Sequence, residues 1–194
     1  MEDKAITMTA RRTQADRSSA TRHALVVAAR ELFSTAGFDE VGTERIAAAA
    51  GVTRGALYHQ FADKTELFAA VFEIVEIEIT AHLVDVLARA PAGDAAAVLV
   101  AGADAWLDAC ADPAVQRIVL IDGPAVLGWA RWREIGLRHG LGLVTSVLEA
   151  AMAAGSIAVA PVDPLAHALV GALDEAVLYV AGAADPVRAR AEMG

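Results

Sequence analysis

Thr53, Arg54, Gly55 and Ala56 are followed at once by Leu57, Tyr58 and His59, with Lys64 a short way on. These side chains suit one chemistry. An arginine at the front of a helix donates two hydrogen bonds to guanine O6 and N7, and an alanine methyl meets the methyl of thymine. Gly55 allows a close approach, and Thr53 caps the helix. The Tyr58 hydroxyl and the His59 imidazole match phosphate oxygens. Lys64, near the start of the next helix, adds charge where free backbone N–H groups and the helix dipole already favour an anion. A recognition helix enters the major groove N-terminus first, so the set reads as a face for double-stranded DNA.

Other chemistries find no such set. His23, His59, His82, His139 and His167 form no i, i+4 pair, and Cys110 has no histidine near it in the sequence. That speaks against a metal site and against a nucleophile with its base. Gly140-Leu141-Gly142 lacks the further glycine of a dinucleotide fingerprint and follows no strand. No enzyme activity, cofactor or metal is expected. Cys110 has no second cysteine to pair with and reads as a small buried apolar residue.

The elements that must hold the DNA face are helices. Apolar residues make up 56% of the 194 residues but aromatics only 5%, so the excess is largely alanine, the best helix former. From Thr21 the positions Leu25, Ala28, Ala29, Leu32 and Phe33 share one face, and Gly37 ends that helix. Residues 1–17, with Arg11, Arg12 and Arg17, show no periodicity and read as a basic arm. A short helix over Thr43–Ala50, a turn at Gly51 and a second short helix over Arg54–Gln60 give a helix-turn-helix. Asp63 and Glu66 form a capping-box start for a long helix to about Arg89, closed by Pro91 and Gly93; Phe72, Val75, Ile79, His82 and Val86 belong to its apolar stripe. Further helices are expected over Asp94–Ala111, from Pro113 to about Asp122, over Trp129–Ala154 and from Pro164 to about Ala181, with a terminal turn at Asp185-Pro186. No strand is expected, and the fold class is all-α.

Charge divides the chain. Residues 1–62 carry eight basic and seven acidic side chains, a balance of +1, whereas the whole chain carries a net −9. An acidic body argues against indiscriminate binding to nucleic acid but allows a local DNA face near the N-terminus. Mean hydropathy is +0.45. The longest run free of Asp, Glu, Lys and Arg, Ala150–Val162, is too short to span a bilayer and contains Gly155, Ser156 and Pro161. A soluble cytoplasmic protein with no membrane partner is expected.

Gly37-Phe38-Asp39, together with Glu44-Arg45-Ile46-Ala47 and the run from Gly51 through Tyr58-His59, Phe61 and Lys64 to Leu67, resembles the N-terminal domain of the tetracycline-repressor (TetR) family. The likeness covers about residues 21–70. It implies a DNA-binding domain over 1–62 and a larger helical ligand-binding and dimerisation domain over 63–194. It also implies a homodimeric repressor, released by a ligand from a palindromic operator. Where the family usually has a Ser or Thr, this chain has Gly42, so Thr43 is the candidate for the hydroxyl contact to phosphate. The implied ligand cavity makes Phe72, His82, Trp106, Trp132 and His139 the expected contacts. With no obvious charge cluster among them, the expected effector is small and apolar or aromatic. The helix from Pro164 is apolar nearly all round, which points to cover by a second copy through Leu169 or Val170, with Gly136 and Gly140 permitting close approach. The competing reading is a helical small-molecule-binding or scaffold protein whose helix-turn-helix is not used on DNA.

Overall fold

The computed structural model describes residues 14–90 and 94–193. Arg11 and Arg12 of the basic arm, and the break at Pro91 and Gly93, lie outside the described residues. The helices run in the order α1 Gln14–Ala36, α2 Thr43–Ala49, α3 Arg54–Gln60, α4 Lys64–Leu87, α5 Ala95–Ala111, α6 Pro113–Val115, α7 Gly123–Ala153, α8 Val162–Gly182 and α9 Pro186–Met193, with a π-helical segment, Gln116–Asp122, between α6 and α7. No strand occurs among the described residues, as the alanine-rich composition requires.

Aspartates start many of these helices. Asp63 accepts from the Glu66 N–H at 2.8 Å, Asp94 from that of Ala97 at 3.0 Å, and Asp112 from those of Ala114 and Val115 at 2.7 and 3.2 Å. Each such cap is worth about 1 kcal/mol, because it satisfies an N–H that the helix leaves free. Thr53 does the same for α3, accepting from the Ala56 N–H at 3.1 Å.

The first three helices close over a small core of Leu25, Ala29, Phe33, Ile46, Leu57 and Phe68. Phe33, Phe38 and Phe68 form a three-ring cluster with centroids 5.4–5.6 Å apart. α4 carries the buried stripe onward through Phe72, Val75, Ile79 and Leu83, so the buried cluster continues from the head into the body. There α4 packs on α5 and α7, and α8 packs on α7 and α5. Among the described residues α8 is the one helix long and apolar enough to cross a membrane by length and composition.

Four expectations change. α1 is already helical at Gln14, well before Thr21, and its polar turns are tied down: Ser18 and Arg22 bond Gln60, and the Arg22 guanidinium lies 4.2 Å from the Phe61 ring centre. The segment before Gly123 winds as a π-helix. Pro124 has no N–H to return to the Leu120 carbonyl, and the Trp132 indole takes the Val119 carbonyl at 2.9 Å. Gly123 and Pro124, expected to break the chain, instead open a short helix; at Gly128 the backbone turns to φ +74°, and the long helix begins at Trp129 as expected. The expected terminal turn is the helix α9, clamped to α5 by Arg190 bonded to Asp104 and Asp108.

Candidate nucleic-acid interface and interior cavity

The N-terminal end of α3 is an open surface. Thr53, Arg54, Gly55, Tyr58 and His59 are exposed, and Ala56 is half-buried. Arg54 is not idle there. Its guanidinium pairs with Glu44 of α2 at 2.7 Å and lies 5.4 Å from the Tyr58 ring centre. Both partners of the ion pair are more than half exposed, so solvent screens the bond and it yields easily to a better partner. Thr43 is buried, with its hydroxyl 3.3 Å from that of Tyr58. That contact, and then the Arg54 guanidinium, draw the Tyr58 hydroxyl below its usual pKa. Thr43 therefore braces Tyr58 rather than presenting its own hydroxyl.

Lys64 points its charge into the head. Its ammonium donates to the carbonyls of Phe38 and Val41 at 2.9 and 3.2 Å and sits 3.9 Å above the Phe38 ring. It thus fastens α4 to the turn that leads into α2. The same turn is held from the body. The Phe38 N–H donates to the Asp122 carboxylate, at the end of the π-helical segment, and Arg117 pairs with that carboxylate at 3.5 Å. The Arg117 guanidinium lies so close to Gly37 that a Cβ there would come within 2.0 Å of it. A second tie is a two-pronged bond from Arg131 of α7 to Glu66 of α4, at 2.6 and 2.8 Å.

A cavity of about 170 Å³ lies among α4, α5, α7 and α8. Its walls are mostly aliphatic, with Trp106 and Trp132 contributing rings. The buried indole N–H of Trp106 has no acceptor among the described residues. Four further polar residues line the space: Glu76, Thr80, Arg133 and Asp174. Arg133 and Asp174 form a close ion pair. Glu76 is 5% exposed, and no hydrogen bond or ion pair reaches its carboxyl among the described residues. Burial, and then the nearby Asp174, push its pKa up to about 7; burial lifts that of Asp174 to about 6 despite Arg133.

Of the five residues expected to line a ligand site, Trp106 and Trp132 line this cavity. Phe72 is fully buried in the core, outside the cavity wall. His82 is exposed on the outer side of α4. His139 lies 3.4 Å from Glu73, away from the cavity. Leu169 and Val170, expected to meet a second copy, face the cavity, as do Gly136 and Gly140. Glu76, Arg133 and Asp174 correct the expectation of a site without charge. A signal for two of them was present: Glu76 falls four residues after Phe72 and three before Ile79, and Asp174 four after Val170 and three before Val177, each on a buried stripe.

Residues 96–194 match the family described as the C-terminal domain of tetracyclin repressor-like proteins, and residues 25–71 match that of bacterial regulatory proteins, tetR family. The chain is 41% identical over 90 residues to the HTH-type transcriptional regulator AcrR of Shigella flexneri, a stretch covering 46% of this chain and 41% of that protein. It is 27% identical over 135 residues to the transposon Tn10 TetC protein of Escherichia coli, covering 70% of this chain and 67% of TetC. Among solved structures, a TetR-family transcriptional regulator from Pectobacterium atrosepticum superposes with a TM-score of 0.82 at 33% identity, covering 94% of this chain and 92% of the other. RolR in complex with resorcinol superposes with a TM-score of 0.74 over 93% of this chain and 88% of RolR; at 22% identity that likeness concerns the fold alone.

Proposed function

Since this chain belongs to the tetR family of bacterial regulatory proteins, we propose that it is a cytoplasmic transcriptional repressor that holds a near-palindromic operator as a homodimer until a small effector fills its cavity. Residues 1–62 would carry the DNA contacts and 63–194 the cavity and the dimer face. The observation that carries this reading is the open end of α3, where Arg54, Gly55, Tyr58 and His59 stand exposed together. In a dimer two such ends would enter successive major grooves roughly 34–36 Å apart, or a multiple of that.

The outer side of α8 supports the dimer. Leu165, Ala168, Ala172 and Tyr179 recur at helical spacing and are exposed in the single chain. Release has a route. Trp132 and Val119 both line the cavity and are bonded to each other, and Val119 lies in the same π-helical segment as Asp122, three residues before the bond to the head. An effector that favours the arrangement unable to span the operator shifts the population by its difference in affinity for the two states. A coupling of about 1–3 kcal/mol lowers operator affinity roughly 5- to 150-fold. The size of the cavity is near that of an engineered protein cavity of about 150 Å³ that binds benzene, so the effector is about one ring across. The ligand of RolR, resorcinol, is of that size.

Fluorescence anisotropy with duplexes from beside the chain's own gene tests the reading. The expected result is one fragment bound far more tightly than a scrambled duplex, with affinity falling steeply as salt rises. Equal affinity for the two would overturn it in favour of a helical binding protein that does not use its helix-turn-helix on DNA.

A further inference from the structure

The cavity contains two carboxyls and one guanidinium. Arg133 is committed to Asp174, which leaves Glu76 buried and unmatched. A buried carboxylate without a partner is costly, and a partner of opposite charge relieves that cost. The groups around Glu76 do not supply one: Asp174 from α8 repels it, Arg133 from α7 is taken, and the Cys110 thiol from α5 is held neutral by burial. With Glu76 ionised, the site therefore lacks one positive charge. The aliphatic walls and the rings of Trp106 and Trp132 suit an apolar body, and an indole face also attracts a cation.

Resting on the reading of this cavity as the effector site, we propose that its ligand is a compact organic cation: a protonated amine on a body of about one ring, its ammonium set against the carboxylates of Glu76 and Asp174. The unpaired Trp106 N–H favours a body that carries a hydrogen-bond acceptor. Binding requires Glu76 in its ionised form, so it releases a proton wherever Glu76 is protonated in the empty protein.

Isothermal titration calorimetry of the full chain with three probes of similar size tests this: 2-phenylethylamine, 2-phenylethanol and phenylacetate. The amine should bind at least about tenfold more tightly than the alcohol at about pH 8, and that advantage should shrink towards about pH 6 as Glu76 takes up its proton. Proton release should show as a heat that depends on the buffer. In Glu76→Gln, checked for cooperative thermal unfolding, the amine should lose its lead over the alcohol. The wild-type comparison stands without the variant: an alcohol that binds as well as the amine, a carboxylate that binds best, or no binding by any probe overturns the proposal. Operator release is scored separately. An amine that binds with this selectivity yet leaves the operator bound upholds the cavity chemistry and defeats the regulatory reading. An uncharged effector that releases the operator does the reverse.

Discussion

The Asp122 carboxylate accepts the backbone N–H of Phe38 at 2.8 Å, joining residues 84 positions apart. Asp122 ends the π-helical segment that lines the cavity through Val119, and Phe38 opens the turn that Lys64 fastens to α4. One hydrogen bond therefore connects the wall of the cavity to the frame of the proposed DNA face.

Asp122→Ala should break that connection. The orphaned Phe38 N–H costs about 1–3 kcal/mol of stability. More tellingly, an effector that still binds should no longer reduce operator affinity by its former factor. Asp122→Asn, which keeps an acceptor oxygen, should retain most of the response. Anisotropy titrations with and without effector check both variants, and an unchanged response in Asp122→Ala refutes the route.

Arg54 and Glu44 should act in opposite directions. Arg54→Ala should cost about 1–3 kcal/mol on the operator and relax preference at one base pair. Glu44→Gln removes both the partner that holds Arg54 away from DNA and a negative charge beside phosphate. It should tighten binding to operator and scrambled duplex alike by a few-fold. Competition mobility shifts measure both, and weaker operator binding by Glu44→Gln would instead make Glu44 a reader of cytosine.

Glu76 should make the empty protein less stable as pH rises. Its folded pKa, about 7, lies above its ordinary value of 4.5, so its contribution is fully present below about pH 4.5 and is lost as pH climbs through 7. Between about pH 5.5 and pH 8 the loss is on the order of 1–2 kcal/mol, a drop of a few degrees in Tm. Glu76→Gln should flatten that part of the profile, so the comparison of wild type with variant isolates it from the other carboxylates. Parallel profiles would place Glu76 in a wetter site.

A charge on the outer side of α8 should separate the subunits. Ala172→Glu puts like charges on the two copies of the exposed face it shares with Leu165, Ala168 and Tyr179. The expected outcome is a monomer by light scattering, with operator binding lost and probe binding in the cavity retained. A wild-type chain that is monomeric at micromolar concentration refutes the dimer face.

Much of this architecture was legible because local signals agree with tertiary ones. Thr53 and Gln60 bound α3 as its cap and periodicity require, and Asp63, Asp94 and Asp112 each start a helix where an acceptor was due. What stayed hidden depends on which face of an apolar helix meets a neighbour. α8 is apolar nearly all round, so periodicity cannot tell the side of Leu169 and Val170, which lines the cavity, from the side of Leu165 and Tyr179, which lies outside. Likewise Lys64 starts a helix as expected, but only the fold shows the Phe38 and Val41 carbonyls taking its charge. The bond between Asp122 and Phe38 has no local signature at all.

Gly136 and Gly140 border the cavity, and a Cβ built on either meets no atom within 4 Å. A methyl added there takes space from the cavity and displaces no neighbouring atom. Each position is thus a dial on the size of molecule admitted, and Gly→Ala lies one nucleotide away for any glycine codon. If the cavity holds the proposed effector, single steps at these positions would retune its size while leaving the helix–helix packing intact.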